Sequence, residues 1–177
     1  MAVKAMGLER LIEGFEKQGA PLGAESLAQV AREIAQVFRV ATDEIAILEL
    51  MPSGKSLSFV LPQKLRAVGT IPLTSTAALA ARTARERRLD IVNNFASARH
   101  ASVFEGVPLD GRQGEAIHKI ISAPILRGDK VIGVVQISRK GQSPVDAGPD
   151  FTSRDLSELQ ALNGLLGRFL ALRGEAS

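Results

Sequence analysis

The sequence predicts an α+β fold in which helices cover one face of a central antiparallel sheet. Apolar residues recur with helical spacing near both ends of the chain and alternate as in β-strands between them. Two β-rich runs are joined by Gly128-Asp129, a pair typical of a tight hairpin turn. The 177 residues fit one domain, which can bury a sizeable core without disulfides or metal.

The N-terminal half predicts two helices followed by a hairpin. Apolar residues between Leu8 and Phe15 lie three and four positions apart, and a second such stripe runs from Leu27 to Phe38. Glycine and proline between the stripes separate the two helices. Residues 45–50 and 57–61 are predicted to pair as strands around the turn at 52–54.

The C-terminal half supplies the remaining elements in order. After an extended stretch through Ile71, an alanine-rich helix capped by Thr74 or Ser75 precedes a short strand at 90–92. The polar, glycine-containing segment 93–115 is long for a loop in a compact domain, and such loops are usually functional. The two β-rich runs and a closing helix that begins at a capping box then complete the order α-α-β-β-β-α-β-β-β-α.

Composition excludes several classes of function. The chain has no cysteine, which excludes disulfides, thiolate metal sites, iron–sulfur clusters and cysteine nucleophiles. The net charge of +3 is mild, and the few scattered aromatics do not favour nucleic-acid binding. No apolar run approaches the roughly 20 residues that span a bilayer, and no signal peptide is evident. We therefore expect a cytoplasmic protein of bacterial type with no membrane partner.

Several segments, in their order along the chain, resemble the GAF domain family. They are Ile71-Pro72-Leu73 before the alanine-rich helix, Ser122-Ala123-Pro124-Ile125 with the turn Gly128-Asp129, the run 131–137, and Phe151-Thr152 before the last helix. The resemblance covers residues 24–173. It implies a six-stranded antiparallel sheet, related to the profilin and PAS folds, with helices on one face and a loop-roofed ligand pocket on the other.

The resemblance also implies which ligands to exclude. Family members that bind cyclic nucleotides carry a spaced Asn-Lys, Phe and Asp-Glu motif, and the matching positions here are Arg139-Lys140, Phe151 and Asp155-Leu156. The departures at Arg139 and Leu156 argue against a cyclic nucleotide. Members that carry bilins or reduce free methionine sulfoxide depend on cysteine, so we expect neither activity and no cofactor.

The loop that would roof this pocket contains polar and aromatic candidates. Asn93 and Asn94 open it, and their amides suit a polar ligand with Phe95 as its cover. The alternative is that both asparagines serve the geometry of a turn. Phe104 would anchor a lid or fold down onto an empty sheet. His100 and a second histidine are too few for a metal site, which leaves them a hydrogen-bonding role or simple exposure.

The strands supply the other candidates. Phe59 lies in the middle of a strand, where core packing is the alternative to a pocket wall. Ser122 and Gln136 lie on neighbouring strands and face either solvent or the pocket. The predicted ligand-binding residues are therefore Phe59, Asn93, Asn94, Phe95, Phe104, His118, Ser122 and Gln136. We predict no catalytic residue and no metal site.

We expect a standalone small-molecule-sensing regulatory domain and not an enzyme, because no nucleophile–base set, phosphate loop or carboxylate pair stands out. A ligand between the sheet and the 93–115 loop would order that loop and rearrange the helices or a dimer. The alternative is a ligand-free scaffold for dimerisation or protein interaction, with a vestigial pocket. In either case the output would act on a separate effector protein.

The helices at the two ends suggest how the chain is organised. Residues 1–20 are predicted to form an N-terminal helix that is a candidate dimerisation element, and residues 21–177 a single GAF-like domain. The apolar stripe of the last helix is wider than one sheet contact requires. We therefore predict a homodimer through Leu8, Leu11, Phe15, Leu162, Leu166 and Phe169.

Overall fold

A computed structural model describes residues 5–19, 21–95 and 116–175, and within these residues it contains one six-stranded antiparallel sheet. The helices are α1 (Met6–Gln18), α2 (Ala24–Phe38), α3 (Leu79–Glu86) and α4 (Ser153–Glu175). The strands are β1 (Ile45–Leu50), β2 (Ser56–Leu61), β3 (Thr70–Pro72), β4 (Asp90–Val92), β5 (Ala116–Arg127) and β6 (Lys130–Gly141). The element order confirms the prediction, and the strands lie in the order β3-β2-β1-β6-β5-β4.

The longest strands of the sheet, β5 and β6, form a hairpin. Each strand has 12 residues, and Arg127 pairs with Lys130 across the predicted turn, where Gly128 has φ +65°. Because side chains alternate along a strand, each strand of the hairpin presents two different surfaces. One carries apolar residues toward α1, α2 and α4, whereas the other carries Ser122 and Gln136.

The helices α1, α2 and α4 pack together on one face of the sheet. Asn163 of α4 holds β5, because its side chain accepts a hydrogen bond from the amide of Leu126 and donates one to the carbonyl of Pro124. Glu16 of α1 pairs with Arg168 of α4, with Nε and Oε2 3.2 Å apart. The hydrogen bond from Arg168 lowers the pKa of the Glu16 carboxyl below its ordinary value. The three helices and the sheet therefore share one core.

The residues predicted to form a dimer interface are used within the chain instead. They lie in this core, and none is more than 8% exposed: Leu8, Phe15, Leu162, Leu166 and Phe169. Leu11 is partly buried against the same core. The stripe of α4 is wide because it covers both the sheet and α1. This assignment of interface residues is corrected, whereas the homodimer itself stays a prediction.

Helix α3 lies on the other face of the sheet, unlike the three helices of the shared core. Its residues Ala80, Ala81 and Ala84 pack against apolar side chains of β1, β2 and β6. Alanine has a short side chain, so the helix axis can approach the strands closely. The helix also begins later than predicted, because Ser75 accepts a hydrogen bond from the amide of Ala78 in the turn that precedes it.

The start of α4 has one of the two reciprocal hydrogen bonds of the predicted capping box. The backbone amide of Thr152 donates a hydrogen bond of 2.8 Å to the Asp155 carboxylate, which satisfies one donor at the helix N-terminus. None of the helices in the described ranges is long and apolar enough to cross a membrane.

Candidate functional site

A chain of buried hydrogen bonds joins α3 to the sheet on the face away from the shared core. The oxygen of Thr83 lies 2.7 Å from that of Ser122, and Gln136 Nε2 donates to the Ser122 oxygen over 3.2 Å. Thr83 also donates to the carbonyl of Leu79 over 3.0 Å. Each hydroxyl has one proton, so the chain must run from Gln136 to Ser122, from Ser122 to Thr83, and from Thr83 to Leu79.

The three side chains of this hydrogen-bond chain are buried. Thr83 and Ser122 are 0% exposed and Gln136 is 4% exposed. Ser122 and Gln136 are also cross-strand partners in the β5–β6 ladder, so both side chains leave the sheet on the same face. Their orientation resolves the alternatives left by the sequence, because both point toward α3 and not toward solvent. Buried polar groups are costly unless hydrogen-bonded, which the chain achieves.

Aromatic side chains complete the described part of this region. Phe95 is buried in a small cluster with Leu79 of α3 and Ile120 of β5. Phe59 is buried with the alanines of α3, so the core-packing alternative describes its position. Phe104 and His100 lie outside the described residues.

The side chain of Asn93 makes two hydrogen bonds to the backbone of another segment. Its side-chain nitrogen donates to the carbonyl of Phe151 over 3.0 Å, and its side-chain oxygen accepts from the amide of Phe151 over 2.9 Å. Both ends of the amide are therefore engaged by the backbone just before α4. We call this pair of contacts between Asn93 and Phe151 the clamp, and ligand binding by Asn93 stays a prediction.

The other rim candidates lie apart from the hydrogen-bond chain. Asn94 is exposed in the turn that follows β4. His118 is half-buried, and its Nε2 lies 3.0 Å from the carbonyl oxygen of Gly141 at the end of β6. Among the residues that the structure describes, no group of three or more histidine and acidic side chains could hold a metal ion.

Arg139 contacts both Phe151, just before α4, and the last residue of α2. The guanidinium of Arg139 lies 4.6 Å from the centre of the Phe151 ring, a cation–π distance. The same guanidinium donates to the carbonyl of Phe38, the last residue of α2, over 3.4 Å. Asn93, Phe151 and Arg139 therefore connect the turn after β4 to α2 and α4.

Sequence reasoning missed Thr83, the member of the hydrogen-bond chain on α3. A signal was present, because Thr83 lies three positions after Ala80 and four after Leu79, on one stripe of the helix. A threonine on an apolar stripe that faces a sheet indicates a polar group on that sheet. The other two members, Ser122 and Gln136, were singled out in the sequence; Ser122 contacts Thr83, and Gln136 contacts Ser122.

Comparisons with known proteins agree on the fold. A profile of the GAF domain family matches residues 24–171. The chain is similar to the GAF domain of an Acinetobacter phosphoenolpyruvate-protein phosphotransferase, with a TM-score of 0.68 and 16% identity, covering 99% of this chain and 96% of that one. No curated protein matches the sequence.

Two further solved structures are similar over nearly their whole length. The GAF domain of a Coxiella burnetii phosphoenolpyruvate-protein phosphotransferase has a TM-score of 0.63 and 12% identity, covering 97% of this chain and 98% of that one. The free methionine-R-sulfoxide reductase of Neisseria meningitidis, solved with its substrate, has a TM-score of 0.59 and 15% identity, covering 100% and 96%. At such identities the likeness describes the fold alone.

Proposed function

Because the chain belongs to the GAF domain family, we propose that it is a small-molecule-sensing regulatory domain that binds its ligand without turning it over. The observation that carries this proposal is the buried hydrogen-bond chain of Gln136, Ser122 and Thr83. A purely structural contact between α3 and the sheet could be made by apolar side chains alone, which would avoid the cost of burying polar groups. A few polar groups in an apolar surround are the usual means by which a pocket orients a ligand.

In the proposed mechanism the ligand takes the place of α3 on the sheet. An acceptor group of the ligand would accept the hydrogen bond that Ser122 now donates to Thr83. Helix α3 has eight residues, and its alanines bury little area, so its displacement costs less than that of a longer helix with larger side chains. The ligand would shift the population between the two positions according to its difference in affinity for them.

The clamp at Asn93 would transmit this shift to the helices of the opposite face. Phe95 packs against Leu79 of α3, and two residues earlier Asn93 holds Phe151 just before α4. Movement of α3 would therefore alter the packing of Phe95, and through the short turn it would reach the first residues of α4. The helices would present the change to a separate effector protein.

A thermal-shift experiment tests ligand binding. The protein is screened with nucleotides, amino acids and aromatic acids, and a ligand present at 100 times its dissociation constant should add about 2.7 kcal/mol of stability. The variant Gln136→Leu should lose most of the shift, whereas Gln160→Leu, on the exposed side of α4, should keep it. A panel without any effect, or an equal shift for Gln136→Leu, would contradict the proposal.

A ligand-free scaffold with a vestigial pocket is the second candidate. It is favoured by the close packing of α3, since Ala80 and Ala81 are 0% exposed and Thr83 is held on Ser122. This candidate makes dimerisation the function, through a surface other than the buried residues named above. Light scattering at micromolar concentration should then give the mass of a dimer, and a single species of monomer mass would contradict it.

A further inference from the structure

A separate cavity lies beside α2, on the side of the sheet that carries the shared core. Its walls are α2, the 3-10 turn Thr42–Glu44, and the corner where β2 passes into the 3-10 segment Gln63–Val68. Its volume is about 370 Å³, which falls in the range of pockets that hold small molecules.

The sequence of α2 keeps this cavity open. Ala28 and Ala31 form the helical wall, and their short side chains leave space that a leucine would occupy. Leu61 is buried at the floor, only 4% exposed. Gln63 donates to the carbonyl of Ala24 over 3.2 Å, which joins the corner to the first turn of α2. The cavity therefore has an apolar base, and a hydrogen bond joins two of its walls.

Charged and polar residues border the cavity beside this apolar base. They are Arg32 and Lys64, the acidic residue Asp43, and Thr42, so the lining carries two positive charges and one negative charge. The Nη2 atom of Arg32 lies 2.8 Å from Glu25, but the two side chains are 50% and 75% exposed. An exposed pair of this kind contributes about 0–1 kcal/mol, so a better anion can compete with it. The guanidinium also has five N–H donors, more than this single contact uses.

We propose that the cavity binds a small organic acid. Its apolar body would lie on Ala28, Ala31 and Leu61, and its carboxylate would accept hydrogen bonds from Arg32. A carboxylate suits this residue because the guanidinium can donate two parallel hydrogen bonds to it. The site is distinct from the region under α3, so it goes beyond the sensor proposed above, and the failure of either proposal leaves the other intact.

The test uses 4-methylpentanoate as the probe and 4-methylpentanol as its uncharged counterpart. Amide chemical shifts of the ¹⁵N-labelled full chain are followed during titration. We expect saturable shifts at Ala28, Ala31 and Thr42 with the acid, and at least about tenfold weaker binding of the alcohol. Arg32→Gln should weaken the acid to a similar degree, and Ala28→Leu should abolish binding by filling the space.

The control is Arg154→Gln, which removes an arginine whose side chain is 82% exposed at the start of α4. It keeps the same net charge as Arg32→Gln and should bind the acid like the wild type. Three outcomes overturn the proposal: no saturable shift at the cavity residues, equal binding of the alcohol and the acid, or full affinity in Arg32→Gln. Because Arg32 is exposed, that variant is expected to fold, which keeps the test decisive.

Discussion

The clamp between Asn93 and Phe151 leads to a specific prediction for the variant Asn93→Ala. The substitution removes the hydrogen bonds of 3.0 Å and 2.9 Å to the carbonyl and amide of Phe151. Phe151 is 3% exposed, so water could not fully replace the hydrogen bonds that its backbone groups lose. Each hydrogen bond contributes about 0.5–1.5 kcal/mol, so the free energy of unfolding should fall by about 1–3 kcal/mol.

Urea unfolding measures this loss, and hydrogen exchange localises it. In Asn93→Ala the amide of Phe151 should exchange faster than the amides of the β5–β6 hairpin. Asn93→Asp retains an acceptor for that amide but no donor for the carbonyl, so it should keep more of the protection. Asn94→Ala, in the same turn, is the control, because Asn94 is exposed and makes neither of these two bonds.

One result would refute the reasoning about the clamp. If Asn93→Ala and Asn94→Ala unfold at the same urea concentration and protect the Phe151 amide equally, the two hydrogen bonds do not hold the start of α4. A uniform rise of exchange over the whole sheet would indicate global destabilisation without a local clamp.

Three other predictions concern the core and the helices. Glu16→Gln should cost about 0–1 kcal/mol at neutral pH, because the pair with Arg168 is partly exposed. Since that pair lowers the pKa of Glu16, its contribution is present above the ordinary value of 4.5 and is lost as the pH falls through the lowered pKa. Ser122→Ala should cost about 1–3 kcal/mol, because it leaves the buried Gln136 donor without its acceptor and the buried Thr83 oxygen without its donor. Gly164→Ala, with open space around the new Cβ, should stabilise α4 by about 0.5–1 kcal/mol, whereas Gly167→Ala should destabilise it, because its Cβ would lie 2.8 Å from a backbone carbonyl oxygen of β5.

Urea unfolding checks all three, and each has a matched comparison. Glu13→Gln, exposed on the same helix, should show little of the pH-dependent loss. Ser157→Ala, exposed on α4, should be nearly neutral next to Ser122→Ala. The two glycine variants serve as controls for each other, and equal effects at positions 164 and 167 would contradict the described packing of α4 on β5.

The elements predicted from the sequence were those with a strong local signal. The β5–β6 hairpin was predicted at its turn because Gly128 adopts a left-handed φ that glycine tolerates, and α4 was predicted at its capping box. The face on which α3 packs could not be predicted from its own residues. A stripe of alanines indicates a close neighbour but does not indicate which side of the sheet that neighbour is on.

The role of Asn93 could not be predicted for a related reason. Its partner, Phe151, is 58 residues away in the sequence, and an asparagine after a short strand is also typical of a turn. Similarly, the breadth of the apolar stripe on α4 indicates how much surface is buried but not by which element. The structure assigns that surface to the sheet and α1, and the predicted interface residues are accordingly in the core.

The clamp also separates the two proposed functions by a thermodynamic argument. In a scaffold, Asn93 stabilises the start of α4 and nothing more, so Asn93→Ala changes the free energy of unfolding alone. In a sensor, α4 and the pocket are coupled through the turn that holds Phe95, and coupling is reciprocal. The substitution Asn93→Ala must then change the ligand affinity by the same free energy by which the ligand changes the stability cost of that substitution. A ligand found by thermal shift should therefore bind Asn93→Ala with changed affinity, and Gln160→Leu, on the exposed side of α4, with the wild-type value. Unchanged affinity in both variants would mean that binding, even if real, is not transmitted along this path.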